Sequence, residues 1–161
     1  MGAVGLSHLT VWSTPSTFSW FMIDSQKAAL ALLHDYYAVF NSGDRESMLA
    51  LLTEDVVHEI NQGGAETGRE AFRAFLLRMN ACYAEQVEEL VVLASADGSR
   101  GAAEFYISGC YLKTDEGLPP ATGQKYRLRV GAFFDLCSGK VARVTNYYNL
   151  QDWLRQVGAF S

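Results

Sequence analysis

Between Met1 and Trp20 the chain has no Lys or Arg, so this stretch lacks the basic start of a secretory leader. No apolar run approaches the ~20 residues that cross a bilayer as a helix. No run of five like charges marks a solvated tail. The three cysteines, Cys82, Cys110 and Cys137, are odd in number and lack metal-ligand spacing. They read as buried, reduced thiols of a cytoplasmic protein. The three histidines do not cluster with them, so no metal site is implied. A strand–turn–helix phosphate loop, a Gly-x-Ser-x-Gly elbow and a His-Glu-x-x-His helix are absent, and no motif asks for a cofactor. The net charge of −5 argues against a nucleic-acid partner, because phosphate binding wants clustered Lys and Arg.

What is present is a globular balance. In 161 residues, 49% are hydrophobic and 19% charged, which suits one domain with one sizeable core. The apolar surplus fits a lined cavity or an oligomer interface. The first 21 residues are rich in Ser, Thr and Gly, with Trp12, Phe18, Trp20 and Phe21 interspersed. Residues 1–21 read as an extension, with a peripheral strand or interface arm as the alternative. Met22-Ile23-Asp24 looks like a natural beginning, leaving residues 22–161 as a single domain.

Asp24 is predicted to cap a helix over Ser25 to Phe40, where Leu30, Leu33, Tyr37 and Phe40 recur at helical spacing and Leu32 and Tyr36 widen the stripe. Asn41-Ser42-Gly43 ends it. Asp44 caps a short helix carrying Met48, Leu51 and Leu52. Val56 to Asn61 reads as a strand, broken by Gln62-Gly63-Gly64. Thr67 and Glu70 have capping-box form before a helix that ends near Cys82. The rest is mostly strand: Val87 to Ser95, Ala102 to Leu112, Tyr126 to Leu136 and Lys140 to Tyr148. Asn149 can cap a closing helix over Leu150 to Val157. Helices followed by a meander of long strands predict an α+β fold, with helices packed on one face of a curved antiparallel sheet and a cone-shaped cavity between them.

Three stretches then resemble a known family. Tyr36 to Asp44 followed by Met48 to Val56 is similar to the opening of the nuclear-transport-factor-2-like (cystatin-like) superfamily. Asp55 to Gly64 and Arg143 to Trp153 resemble its ketosteroid-isomerase-related, SnoaL-like group. The resemblance covers about residues 24 to 157. It implies a fold that carries isomerases, polyketide cyclases, dehydratases, hydrolases and non-enzymes, so fold alone does not settle activity.

The steroid isomerases of this fold use a carboxylate base with a Tyr and a protonated Asp. By position the family tyrosine falls on Tyr36, the base on Ile60 or Asn61, and the second acid on Gly131. Both catalytic acids are therefore absent, which argues against classical steroid isomerisation. Period-two alternation puts His58 on the same face as Ile60. His58 is then the neutral-pH base within reach of the cavity, against the competing reading of a core histidine satisfied by one hydrogen bond. His34 reads as structural or exposed, and Asp135 as an exposed acid near a turn.

The family register points Glu104, Tyr106, Ser108 and Cys110 into the cavity, with Arg127 and Arg129 from the next strand and Val144, Asn146 and Tyr148 from the last. Glu104 with Arg127 or Arg129 would be an internal pair. The outward face then holds Phe105, Ile107 and Tyr147, which suits a homodimer.

The leading expectation is an enzyme performing acid–base chemistry on an apolar oxygenated molecule. His58 and Tyr36 are the catalytic candidates; Glu104, Tyr106, Arg127, Asn146 and Tyr148 are the substrate-binding ones. A non-catalytic binder of small ligands and a dimeric interaction module are the alternatives. No cofactor, nucleic acid or membrane is expected as a partner.

Overall fold

A computed structural model describes residues 17–158, with side chains from Asp24 onward. The expected extension, residues 1–21, lies outside the described residues as far as residue 16. Helix α1 runs Thr17–Ser42, α2 Arg45–Ala50, α3 Arg69–Cys82 and α4 Leu150–Gln156. The strands are β1 Leu52–Glu59, β2 Ala65–Thr67, β3 Tyr83–Ala94, β4 Arg100–Tyr111, β5 Gln124–Cys137 and β6 Lys140–Tyr148.

Asp24 is not a cap, because α1 passes straight through it. Its end is as expected: Gly43 adopts φ 73°, a left-handed stop open to glycine. Asp44 then caps α2 by accepting from the Ser47 amide. Thr67 does not cap α3. It pairs with Val57 in a short hairpin, and Gly68, at φ 95°, takes the cap position with no side-chain bond. Helix α3 turns directly into β3, since Tyr83 is already extended. Asn149 caps α4 through the Asp152 amide.

The six strands form one sheet in the order β2-β1-β6-β5-β4-β3. Every neighbouring pair is antiparallel except β1 and β6, which run parallel. The register shifts within the β1–β6, β3–β4 and β5–β6 pairings; an extra residue, as in the last two, bends a strand and increases its twist. The result is the expected α+β, nuclear-transport-factor-2-like architecture, an open curved sheet with helices on its concave face.

Alternation shows which side is covered. On β4, Ala103, Phe105, Ile107 and Tyr111 are buried, and on β5 so are Tyr126, Leu128, Val130, Ala132 and Phe134. They pack with Leu32, Leu33, Tyr36 and Tyr37 of α1 into one core. Burying a side chain of this size is worth roughly 1.5–3 kcal/mol, so the apolar set decides the face. The expected inward set on these two strands is therefore reversed: Glu104, Tyr106, Arg127 and Arg129 lie on the outer, convex face. Phe105 and Ile107, expected outward, are core. Of the three free thiols only Cys82 is buried; Cys110 is half-buried and Cys137 exposed.

Candidate functional site

The concave face is built from β1 inward. His58 stands beside Val144 of β6 and directly opposite Glu66 of β2. Cross-strand partners share a face, so the short hairpin delivers a carboxylate to the imidazole. His58 Nδ1 lies 3.7 Å from Glu66 Oε2. Both atoms are sealed from solvent, and neither has a hydrogen-bond partner. The rings of Phe72 and Phe75 flank the imidazole at 5.3 and 4.2 Å between centroids. Burial lowers the His58 pKa, the Glu66 carboxylate pulls it back up, and Arg78 adds a smaller downward push. The histidine is thus held neutral at pH 7. A closer approach would let Nδ1–H donate to Glu66 and leave Nε2 as the basic nitrogen.

Strand β6 continues this face. Val144, Asn146 and Tyr148 lie opposite Phe134, Ala132 and Val130, all on the concave side as expected. The helical cover thins along this line. Val144 is 1% exposed, Asn146 half-buried and Tyr148 37% exposed. Ile60, the position of the family base, reaches 36% at the same rim. Asn61 donates from its amide to the Tyr148 carbonyl at 3.2 Å and ties β1's end to this strand.

Tyr36 is in the core. Its ring meets Tyr37 and Phe134 edge-on at 5.3 and 5.4 Å, whereas the neighbours of His58 are phenylalanines of α3. Burial raises the Tyr36 pKa, so its hydroxyl stays protonated.

The other three expected ligand contacts are on the opposite face. The Arg127 guanidinium sits 3.6 Å over the Tyr106 ring and pairs with Glu88 and Glu89 at 3.2 and 2.6 Å. Glu104 pairs with Arg129, as expected in partner but on the solvent side. Gly131, matched to the second family acid, also faces out, opposite Glu104 and Tyr147. Its concave neighbours Val130 and Ala132 are apolar, so the acid is absent on either register. Arg100, Phe133, Arg143 and Tyr147 line an open groove of about 560 Å³ on this convex side. Asp135 accepts from Arg143 there, which lowers the Asp135 pKa.

Two concave carboxylates were not foreseen. Glu66 belongs to the unpredicted strand β2; the Gly63-Gly64 turn followed by Ala65-Glu66-Thr67 is the hairpin signal that would have found it. Glu85 lies just before the predicted start of its strand. It accepts the Tyr126 hydroxyl hydrogen bond at 2.6 Å. Burial raises its pKa against the lowering effect of that bond.

The model of the SnoaL-like domain family matches residues 33–144. The chain belongs to the SnoaL-like family. A candidate polyketide cyclase of Pseudomonas putida KT2440 is 56% identical, with 81% of this chain and 98% of that one aligned at a TM-score of 0.80. A candidate polyketide cyclase of Xanthomonas campestris pv. campestris is 52% identical, over 83% and 99% of the two chains, at a TM-score of 0.80. An NTF2-like protein of Burkholderia xenovorans LB400 shares the fold at 17% identity, over 83% and 98%, at a TM-score of 0.67. No curated protein matches the chain significantly. Among the described residues of this SnoaL-like protein, no helix is long and apolar enough to cross a membrane.

Proposed function

We propose that this SnoaL-like protein is an enzyme of proton transfer, acting at the concave face on an apolar molecule that carries a carbonyl. The observation that carries this reading is the His58–Glu66 couple: a neutral imidazole, aligned with a carboxylate by strand pairing and walled by Phe72 and Phe75. His58 takes a proton from the carbon next to the carbonyl, and Glu66 orients the ring and stabilises the imidazolium that forms. Asn146, next along the same face, donates to the enolate oxygen, and Tyr148 beyond it contacts the rest of the ligand. Tyr36 supports the packing behind them. Arg127, Glu104 and Tyr106 are left to the convex face.

Loss of that proton is also the first step of an intramolecular aldol ring closure. The two candidate polyketide cyclases at 56% and 52% identity support such chemistry for this chain. The test needs no native substrate. In D2O, the wild-type protein should speed deuterium entry into 2-tetralone, a two-ring ketone with acidic α-hydrogens, followed by mass spectrometry. His58→Ala should lose roughly 10²–10⁴-fold of the enzymic rate, the usual worth of a general base. Glu66→Gln should fall between the two. Exchange that is equal in wild type and His58→Ala would remove the role.

The 5% exposure of His58 favours one second reading: a ligand carrier whose histidine is purely structural. Saturable 2-tetralone binding without exchange would support it.

The convex face we assign to a second copy of the chain. Phe133 and Tyr147, with Val91 and Leu93, are large apolar side chains left exposed there, in place of the expected Phe105 and Ile107.

A further inference from the structure

The geometry points to Glu85 as the anchor for a neutral hydroxyl at the far end of the ligand, a role that keeps carboxylates and phosphates off that end of the concave face. This rests on the concave face being the ligand site. Glu85, Gly109 and Tyr126 form one row across β3, β4 and β5. A Cβ at Gly109 would collide with the Tyr126 ring. Glycine at 109 therefore lets that ring lie across β4 and its hydroxyl reach Glu85 Oε1. Oε1 is taken by this bond, and Glu85 is half-buried, leaving Oε2 as the oxygen for a ligand. That oxygen is free to accept a hydrogen bond at the half-covered rim.

The chemistry of the partner follows from what surrounds the carboxyl. Burial and the Tyr126 hydroxyl are the influences on Glu85, and no Lys or Arg contributes. Arg127, the cation that would have welcomed an acidic ligand, is on the convex side beside Glu88 and Glu89. An anion brought to Glu85 would meet a carboxyl and two phenols with no countercharge, and a buried unpaired charge is costly. A hydroxyl meets an acceptor at Glu85 and a donor at Tyr148, whose proton is held on by burial and by the nearby Glu85 charge.

The distance between the two ends sets a length. Val144, beside His58, and Tyr148, within the field of Glu85, are four residues apart on β6. At 3.2–3.4 Å per residue this is about 13 Å. A ligand reacting at His58 and anchored at Glu85 is thus a flat or extended molecule of about that length, ketonic at one end and hydroxylated at the other.

Binding of 2-naphthol and of 2-naphthoate to the full chain at pH 7, followed by fluorescence titration, separates the hydroxyl from the carboxylate on one ring system. Wild type should bind the naphthol at least about 10-fold more tightly, the scale of one hydrogen bond against one unpaired charge. Glu85→Ala should weaken naphthol binding about 10-fold. Glu85→Gln, which keeps a partner for Tyr126 and so protects the fold, should bring the two probes close to equal affinity. The titration reads binding and the tetralone exchange reads catalysis, so either can fail alone. Naphthoate binding as tightly as naphthol to wild type, neither probe binding at millimolar concentration, or a preference unchanged in Glu85→Gln would each overturn the assignment.

Discussion

Burial acts on His58 and Glu85 in opposite directions. It disfavours the charged form of each, so it lowers the histidine and raises the glutamate. The pH consequences follow from proton counts. The lowered His58 releases its proton on folding, so its contribution to stability is present above about pH 6.5 and is lost as pH falls through the folded value. The raised Glu85 holds its proton more tightly in the folded chain than in the unfolded one. Its contribution is present below pH 4.5, the ordinary value, and is lost as pH rises through the folded value. Glu85→Gln should therefore leave stability at pH 4 nearly unchanged and raise it relative to wild type at pH 7. Urea midpoints at the two pH values check this; a variant less stable than wild type at pH 7 would contradict it. Neutral His58 also places the acid limb of the rate profile below pH 6.5. His58, Asn146 and Tyr148 were legible from strand alternation next to a family landmark. Glu85 was not, because a lone Glu in a strand beginning Tyr83-Ala84-Glu85-Gln86 looks solvated. Only the Tyr126 hydroxyl, two strands away, makes its position tolerable.

Strands β4 and β5 show why a borrowed register is weaker than burial. With a period of two, a slip of one residue exchanges the faces. The family register aimed Glu104 and Tyr106 inward, yet Ala103, Phe105 and Ile107 take the covered side because that is where apolar area leaves water. The helices were read well where a cap is local, as at Asp44 and Asn149. They were misread where a tertiary pairing competes, as at Thr67, which the β1–β2 hairpin draws away from α3. Gly109 belongs to β4's packing in the same way, since nothing within its own strand demands glycine. Gly109→Ala should displace the Tyr126 ring and cost about 1–3 kcal/mol, as overpacking of a tight core does. Thermal melts measure the loss, and an unchanged melting temperature would show that the ring does not need the space.

The whole molecule divides its labour between two sheet faces. The concave face carries the His58–Glu66 couple and the Glu85–Tyr126 hydrogen bond among apolar side chains. The convex face carries ion pairs such as Arg143 with Glu59 and Asp135, beside the exposed apolar pair Phe133 and Tyr147, whose rings meet edge-on at 5.9 Å. Wild type should sediment as a dimer of the 17.8 kDa chain, and Phe133→Asp as a monomer, since a charge in an apolar contact is left unpaired. A wild-type monomer at tens of micromolar would oppose the assignment. The family and architecture were legible in the sequence because helix ends, turns and apolar periodicity are local. The division between the faces was not, because it depends on which of two alternating sets the helices cover.

Deuterium entry into 2-tetralone, compared in wild type, His58→Ala and Arg127→Ala, tests most directly whether the chemistry belongs to the concave face. The expected result is exchange at the buffer rate in His58→Ala and at the wild-type rate in Arg127→Ala. Exchange that survives in His58→Ala and fails in Arg127→Ala would contradict the account.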